Sequence, residues 1–82
     1  MKLNVDVVSP EKTLYSGIID SIQVPGVRGR FEILVNHAPI ISSLAAGKIV
    51  CQGKDKFTLE ITGGFLEMSN NKVTVCVETK EK

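Results

Sequence analysis

Apolar residues in this chain recur at every second position, and that period restricts the possible folds more than any other feature. Leu3, Val5 and Val7 alternate with Asn4 and Asp6, and Ile22 and Val24 alternate with Ser21 and Gln23. Phe31, Ile33 and Val35 point one way while Arg30 and Glu32 point the other; Phe57, Leu59 and Ile61 repeat the device, and so do Val73, Val75 and Val77. Successive side chains of an extended strand face opposite sides, so each run describes a strand with one buried face. The breaks between runs are turn-forming. Ser9-Pro10-Glu11-Lys12 and Pro25-Gly26 interrupt with proline, which has no N–H to donate to a ladder. Asn70-Asn71 supplies side chains that tolerate the left-handed conformation of tight hairpins. Ala38 to Ala46 is rich in alanine, but Pro39, Ser42-Ser43 and Gly47 leave too few residues for a stable helix. The pattern predicts an all-β sandwich or small barrel of roughly eight to ten strands.

At 82 residues the chain is expected to form a single domain over 1–82, with a thin core. Its polar end, Glu78-Thr79-Lys80-Glu81-Lys82, is expected to fray. Ten basic against 9 acidic residues leave a formal charge of only +1, without the concentrated basic excess that nucleic-acid binding needs. No apolar run approaches a membrane span and no signal peptide is visible, so the default expectation is a cytosolic chain. Cys51 and Cys76 read as reduced thiols packed as small apolar groups. Together with the single His37 they are too few for a metal site.

The search for chemistry returns little. His37, in Val35-Asn36-His37-Ala38-Pro39, has no nucleophile or carboxylate signature to work with and reads as a turn or interface histidine. The loop Pro25-Gly26-Val27-Arg28-Gly29-Arg30 combines glycines with arginines, as an anion site would, but a strand follows where phosphate loops have a helix. It reads as a hairpin tip, with its arginines solvated or meeting a protein partner. Gly53-Lys54-Asp55-Lys56 is an exposed charged turn; a carrier domain displaying a modified lysine there would show two similar halves, and none are present. Gly63-Gly64, between Ile61 and Leu66, implies a sharp bend or a second backbone passing very close. Beyond it Phe65 and Leu66 face opposite ways, so one of them is a candidate to leave the core and meet a partner, although a sandwich corner could bury both. Taken alone, the residues describe a small β domain for binding or structure.

The order of these segments resembles a known family. Leu3-Asn4-Val5-Asp6-Val7-Val8-Ser9-Pro10-Glu11, Leu14-Tyr15-Ser16-Gly17 and Ile22-Gln23-Val24-Pro25-Gly26 are similar to the opening of the epsilon subunit of F-type ATP synthases. Gly29 to Ile33, Asn36-His37-Ala38-Pro39 and Leu44 to Gly47 resemble its middle block. Ile61-Thr62-Gly63-Gly64-Phe65-Leu66-Glu67 and Asn71-Lys72-Val73-Thr74-Val75 resemble its closing strands. The resemblance implies a two-sheet β-sandwich of about ten short strands. It also implies a non-catalytic place in the central stalk, bound to gamma and the c ring in the complex with alpha and beta. There the chain would turn as part of the rotor, with no cofactor. Localisation would be peripheral, at the cytoplasmic face of a bacterial inner membrane, through the complex.

Family members commonly continue into a C-terminal pair of helices that can inhibit hydrolysis and, in some, bind ATP. This chain ends soon after Val77, so a short form is expected, with neither inhibition nor nucleotide binding. By resemblance, Ser9, His37, Ala38 and Pro39 are gamma-facing candidates, joined by Phe65 from strand parity. Arg28, Gly29 and Arg30 are the c-ring-facing candidates. Arg30 stands where the family often has an acidic or small residue, which implies a matching change of charge in the ring's loop.

Overall fold

The computed structural model describes residues 1–80, and in them the alternating runs become eight strands: β1 (Leu3–Val8), β2 (Thr13–Gly26), β3 (Gly29–Leu34), β4 (Ile40–Leu44), β5 (Gly47–Gly53), β6 (Phe57–Ile61), β7 (Gly63–Ser69) and β8 (Lys72–Glu78). No helix occurs among the described residues. The count is eight rather than the expected ten or so, because β2 runs unbroken through 14 residues.

β2 belongs to both layers. Its first half pairs antiparallel with β1, from Leu3↔Ile19 to Val8↔Thr13. Its second half lies between β3 (Ile22↔Ile33) and β5 (Ile22↔Cys51). The transfer is made at a register shift between Ile19 and Ser21, where the buried phase of the strand changes parity: Ile19 and Ser21 face inward, then Ile22 and Val24. An extra residue of this kind bends a strand and increases its twist, which lets one strand turn the corner of a sandwich. One layer is then β6-β5-β2-β3, and the other is β2-β1-β8-β7-β4. β1 and β8 are parallel neighbours, so the first and last strands lie side by side and run the same way.

Between the layers the predicted inward residues form one core. Leu3, Val5, Val7, Ile22, Val24, Ile33, Val73 and Val75 are wholly or almost wholly buried, while Phe31, Val35, Phe57 and Leu59 pack around the margin. Tyr15 stacks on Phe57 with ring centroids 4.2 Å apart, closing the core where β2 passes β6. Cys51 is buried within it as a free thiol, as expected, whereas the free Cys76 is only half-buried on the outer face of β8. Of the polar end expected to fray, Glu78 completes β8, and residues 81–82 lie outside the described part.

The turns use the residues singled out for them. Asn70 and Asn71 have φ of 50° and 61°, the left-handed pair of a two-residue hairpin. Asn36, at φ 67°, is the third residue of a turn closed by His37 N–H donating to the Leu34 carbonyl at 3.1 Å. Asn36 and Asn71 also hold each other. The Asn36 amide donates to Asn71 Oδ1 at 2.6 Å, Asn71 Nδ2 donates to Asn36 Oδ1 at 3.0 Å, and Asn4 N–H donates to the Asn71 carbonyl at 2.9 Å. Three segments distant in sequence are thus tied at one end of the sandwich. Asn71→Gly keeps the left-handed backbone and removes the side-chain bonds, and is expected to lower stability by about 1 kcal/mol. Asn71→Ala adds left-handed strain and is expected to cost about 2 kcal/mol. Urea denaturation of the pair checks the order; an Asn71→Gly variant as stable as wild type would mean that the side-chain clamp contributes nothing.

Candidate interaction surfaces

The residues singled out by sequence fall into three places. Ser9 sits in the β1–β2 turn and closes it upon itself: its N–H donates to the Lys12 carbonyl at 2.8 Å, and its Oγ accepts from the Lys12 amide at 3.3 Å. Its hydroxyl therefore has a local job in shaping the loop. Phe65, on β7, is 47% exposed, whereas Leu66 is fully buried, so Phe65 is the one of the pair that leaves the core. Both Ser9 and Phe65 line a shallow cleft of about 300 Å³ with Val8, Pro10, Cys76 and Val77.

His37, Ala38 and Pro39 lie elsewhere. They are exposed in the β3–β4 connection, beside Asn70 and Asn71, at the opposite end of β7. Five residue steps separate Phe65 from Asn70, roughly 17 Å along an extended strand. The His37 ring places Nδ1 2.8 Å from the Ala38 carbonyl, which can only accept, so Nδ1 carries the proton in this geometry. The gamma-facing candidates thus occupy two ends of one layer instead of a single patch.

Arg28, Gly29 and Arg30 form the β2–β3 hairpin tip, where Gly26 pairs with Gly29 across the two-residue turn Val27-Arg28. A Cβ added to Gly29 would meet nothing within 4 Å, but its φ of 132° is one that L side chains rarely adopt. Backbone conformation alone therefore accounts for this glycine. The tip is fastened to β4 and the segment after it: Val27 N–H donates to the Ser43 carbonyl at 3.1 Å, and Ala45 N–H donates to the Pro25 carbonyl at 2.7 Å.

That fastening brings together residues which the strand readings had left apart. Ser43 pairs with Phe65, Phe65 with Cys76 and Cys76 with Val8, so these four share one row on the outer face. Ile41 lies two residues along β4 on the same face, opposite Glu67, and is 77% exposed; Val27, beside Ser43, is 59% exposed. Val27 and Ile41 were missed as surface residues. For Ile41 a signal existed, since consecutive Ile40-Ile41 in a strand cannot both face the core. At the β1 edge of the face the polar residue Asp6 is paired. Asp6 accepts from Ser16 Oγ at 2.7 Å and meets Lys72 Nζ at 3.0 Å, and these hydrogen bonds hold its carboxyl below the usual range. What the surface offers is a mostly apolar strip, from the hairpin tip across β4, β7 and β8, with a charged border.

Comparison with known proteins bears on what such a surface serves. Residues 2–82 match the family "ATP synthase, Delta/Epsilon chain, beta-sandwich domain". An ATP synthase epsilon chain of Leptospira borgpetersenii is 44% identical over 78 residues, covering 94% of this chain and 61% of that protein. One of Chlorobaculum tepidum is 40% identical over 76 residues, covering 90% of this chain and 86% of the other. This chain spans 61% of the length of the Leptospira relatives it matches. Among solved structures, a chain of the Euglena gracilis mitochondrial ATP synthase (OSCP/F1/c-ring) superposes with a TM-score of 0.86 at 16% identity, over 93% of this chain and 50% of that one. A chain from the central stalk/c-ring of the Tetrahymena thermophila enzyme gives 0.79 at 16% identity, over 95% of this chain and 64% of that one. At that identity the two structures speak for the fold.

Proposed function

We infer the role of this chain from one premise: it belongs to the ATP synthase delta/epsilon family, whose β-sandwich domain it carries over residues 2–82. It acts as the epsilon subunit of the central stalk, binding gamma and the c ring within the complex with alpha and beta. It turns with them, so that ion translocation is coupled to ATP synthesis, and carries out no bond chemistry of its own. Its place is peripheral, at the cytoplasmic face of a bacterial inner membrane, held there by the complex. The observation that carries this reading is the family match along nearly the whole chain.

Physical features support it. Torque transmission asks for a body that does not deform, and a short-looped sandwich in which β2 serves both layers around one close-packed core provides that. Assembly into a stalk asks for apolar surface left uncovered in the isolated chain, and the strip of Val27, Ile41 and Phe65 is such a surface. Ser9 and Phe65 at one end, and His37, Ala38 and Pro39 at the other, would then be touched by gamma along the length of one layer. Arg28, Gly29 and Arg30 at the hairpin tip would approach the ring.

Affinity capture of the tagged chain from its own detergent-solubilised membranes, with mass spectrometry of the bound subunits, tests the proposal. Recovery of gamma, alpha, beta and the c ring is the expected result. Recovery of none of them, from membranes in which the synthase stays intact, would overturn it. The intact mass checks the carrier alternative at Lys56 in the same sample, since a lipoyl or biotinyl adduct would add to the sequence mass.

A further inference from the structure

Two arginines stand at the hairpin tip, and the structure gives them different work. Extending the β2–β5 ladder beyond Gln23↔Val50 would bring Pro25 opposite Lys48, and proline has no N–H to donate there. The ladder stops, and the Lys48 carbonyl is left without a strand partner on that side. Arg30, paired with Pro25 on β3, reaches across the proline and donates from Nη1 to the Lys48 carbonyl at 2.7 Å. Its guanidinium replaces the missing backbone donor and ties three neighbouring strands together. Arg28 makes no hydrogen bond or ion pair among the described residues and is exposed at the turn beside the exposed Val27.

We propose that Arg28 is the residue of this tip that meets an acidic group on the polar loop of the c ring, and that Arg30 is a positioning residue that holds the hairpin in place. The assignment rests on the central-stalk reading and refines it. An unpaired cation on a loop fastened at both sides is already held in position for a carboxylate, so little ordering cost remains at binding. Arg30, by contrast, has one arm of its guanidinium, Nη1, committed to a backbone acceptor that holds the side chain back across Pro25.

The test uses wild-type chain, Arg28→Glu, Arg28→Ala, Arg30→Glu and Arg30→Ala. Each is assembled with gamma, alpha and beta and then with detergent-solubilised c ring. Gamma binding, ring retention against salt and the thermal midpoint are read for each. Arg28→Glu is expected to cut ring retention about tenfold or more, because like charges at a contact are costly, with gamma binding and midpoint unchanged. Arg28→Ala is expected to lose less and to flatten the salt dependence. Both Arg30 variants are expected to lower the midpoint by several degrees while keeping ring retention within about threefold at low temperature. Wild-type retention by Arg28→Glu, or ring loss in Arg30→Glu with an unchanged midpoint, would overturn the assignment while leaving the central-stalk reading intact. A wild-type chain that takes up neither gamma nor ring would overturn both.

Discussion

Gly64→Ala is expected to cost about 3 kcal/mol or more, while Gly63→Ala, one residue away, is expected to cost less than about 1 kcal/mol. A Cβ on Gly64 would lie 2.2 Å from the Cys76 carbonyl oxygen and 3.0 Å from Val77 Cα, and the residue's φ is 150°. Both obstructing atoms are backbone, so no side-chain rotation relieves the contact. β7 would have to lift away from β8 along the ladder that joins Phe65 to Cys76 and Leu66 to Val75, opening the layer behind the outer face. A Cβ on Gly63 would meet only the Leu44 carbonyl at 3.7 Å, an ordinary contact. A chain of 82 residues has roughly 4–12 kcal/mol of stability in all, so the loss at Gly64 is a large share of it. In thermal denaturation it corresponds to a drop of about 12–24 °C, which circular dichroism resolves easily. Equal losses at the two glycines would show that the close approach of β8 is not what makes Gly64 necessary.

The paired glycines also show how far the sequence can be read. Their position in an apolar stretch announced a close backbone approach, and β8 is that backbone. The strands with unbroken alternation were legible for the same kind of reason: in Leu3-Val5-Val7 and Val73-Val75-Val77 every inward residue is buried, so the pattern and the packing coincide. Asn70-Asn71 announced its turn because few other residues tolerate φ above zero in succession.

The unreadable parts are those where the period fails. In β2 the inward parity changes between Ser21 and Ile22, so one strand of 14 residues looks in sequence like two shorter ones, and the expected strand count rises accordingly. In β4 the doublets Ile40-Ile41 and Ser42-Ser43 hide an alternating strand, because only Leu44 is fully inward and Ile41 faces out. The surface was less legible still. Val27, Ile41 and Phe65 come from three segments, and nothing local in the chain says that they share a face; the Val27–Ser43 hydrogen bond and the Ser43↔Phe65 pairing do that. Arg30 could not be told from Arg28 by sequence, since its distinguishing partner is the carbonyl of Lys48, 18 residues away.

The buried thiol of Cys51 gives the fold an expected weakness to alkali. Burial pushes it up from 9.0 to about 11, because the thiolate would have to form among apolar neighbours without solvent. Below the unfolded value both states hold the proton, and the thiol contributes no slope. Between about pH 9 and pH 11 the unfolded chain has released its proton while the folded chain keeps it, so stability falls as pH rises. A shift of this size corresponds to about 2–3 kcal/mol lost across the window. Tyr15 adds to the same trend, since burial raises its hydroxyl as well, so the comparison must separate the two groups. Urea denaturation from pH 7 to pH 11 is expected to show the decline in wild type and in Tyr15→Phe, and to show it much reduced in Cys51→Ala. The alanine variant starts from a lower stability at pH 7 because of the cavity it leaves, but its curve stays flatter. Parallel curves for wild type and Cys51→Ala would mean that the alkaline loss originates elsewhere. Alkylation gives an independent reading of the same burial. At neutral pH Cys51 is expected to react only through unfolded molecules, so its labelling rate should rise exponentially with the stability lost in the Gly64→Ala variant, about a hundredfold for about 3 kcal/mol.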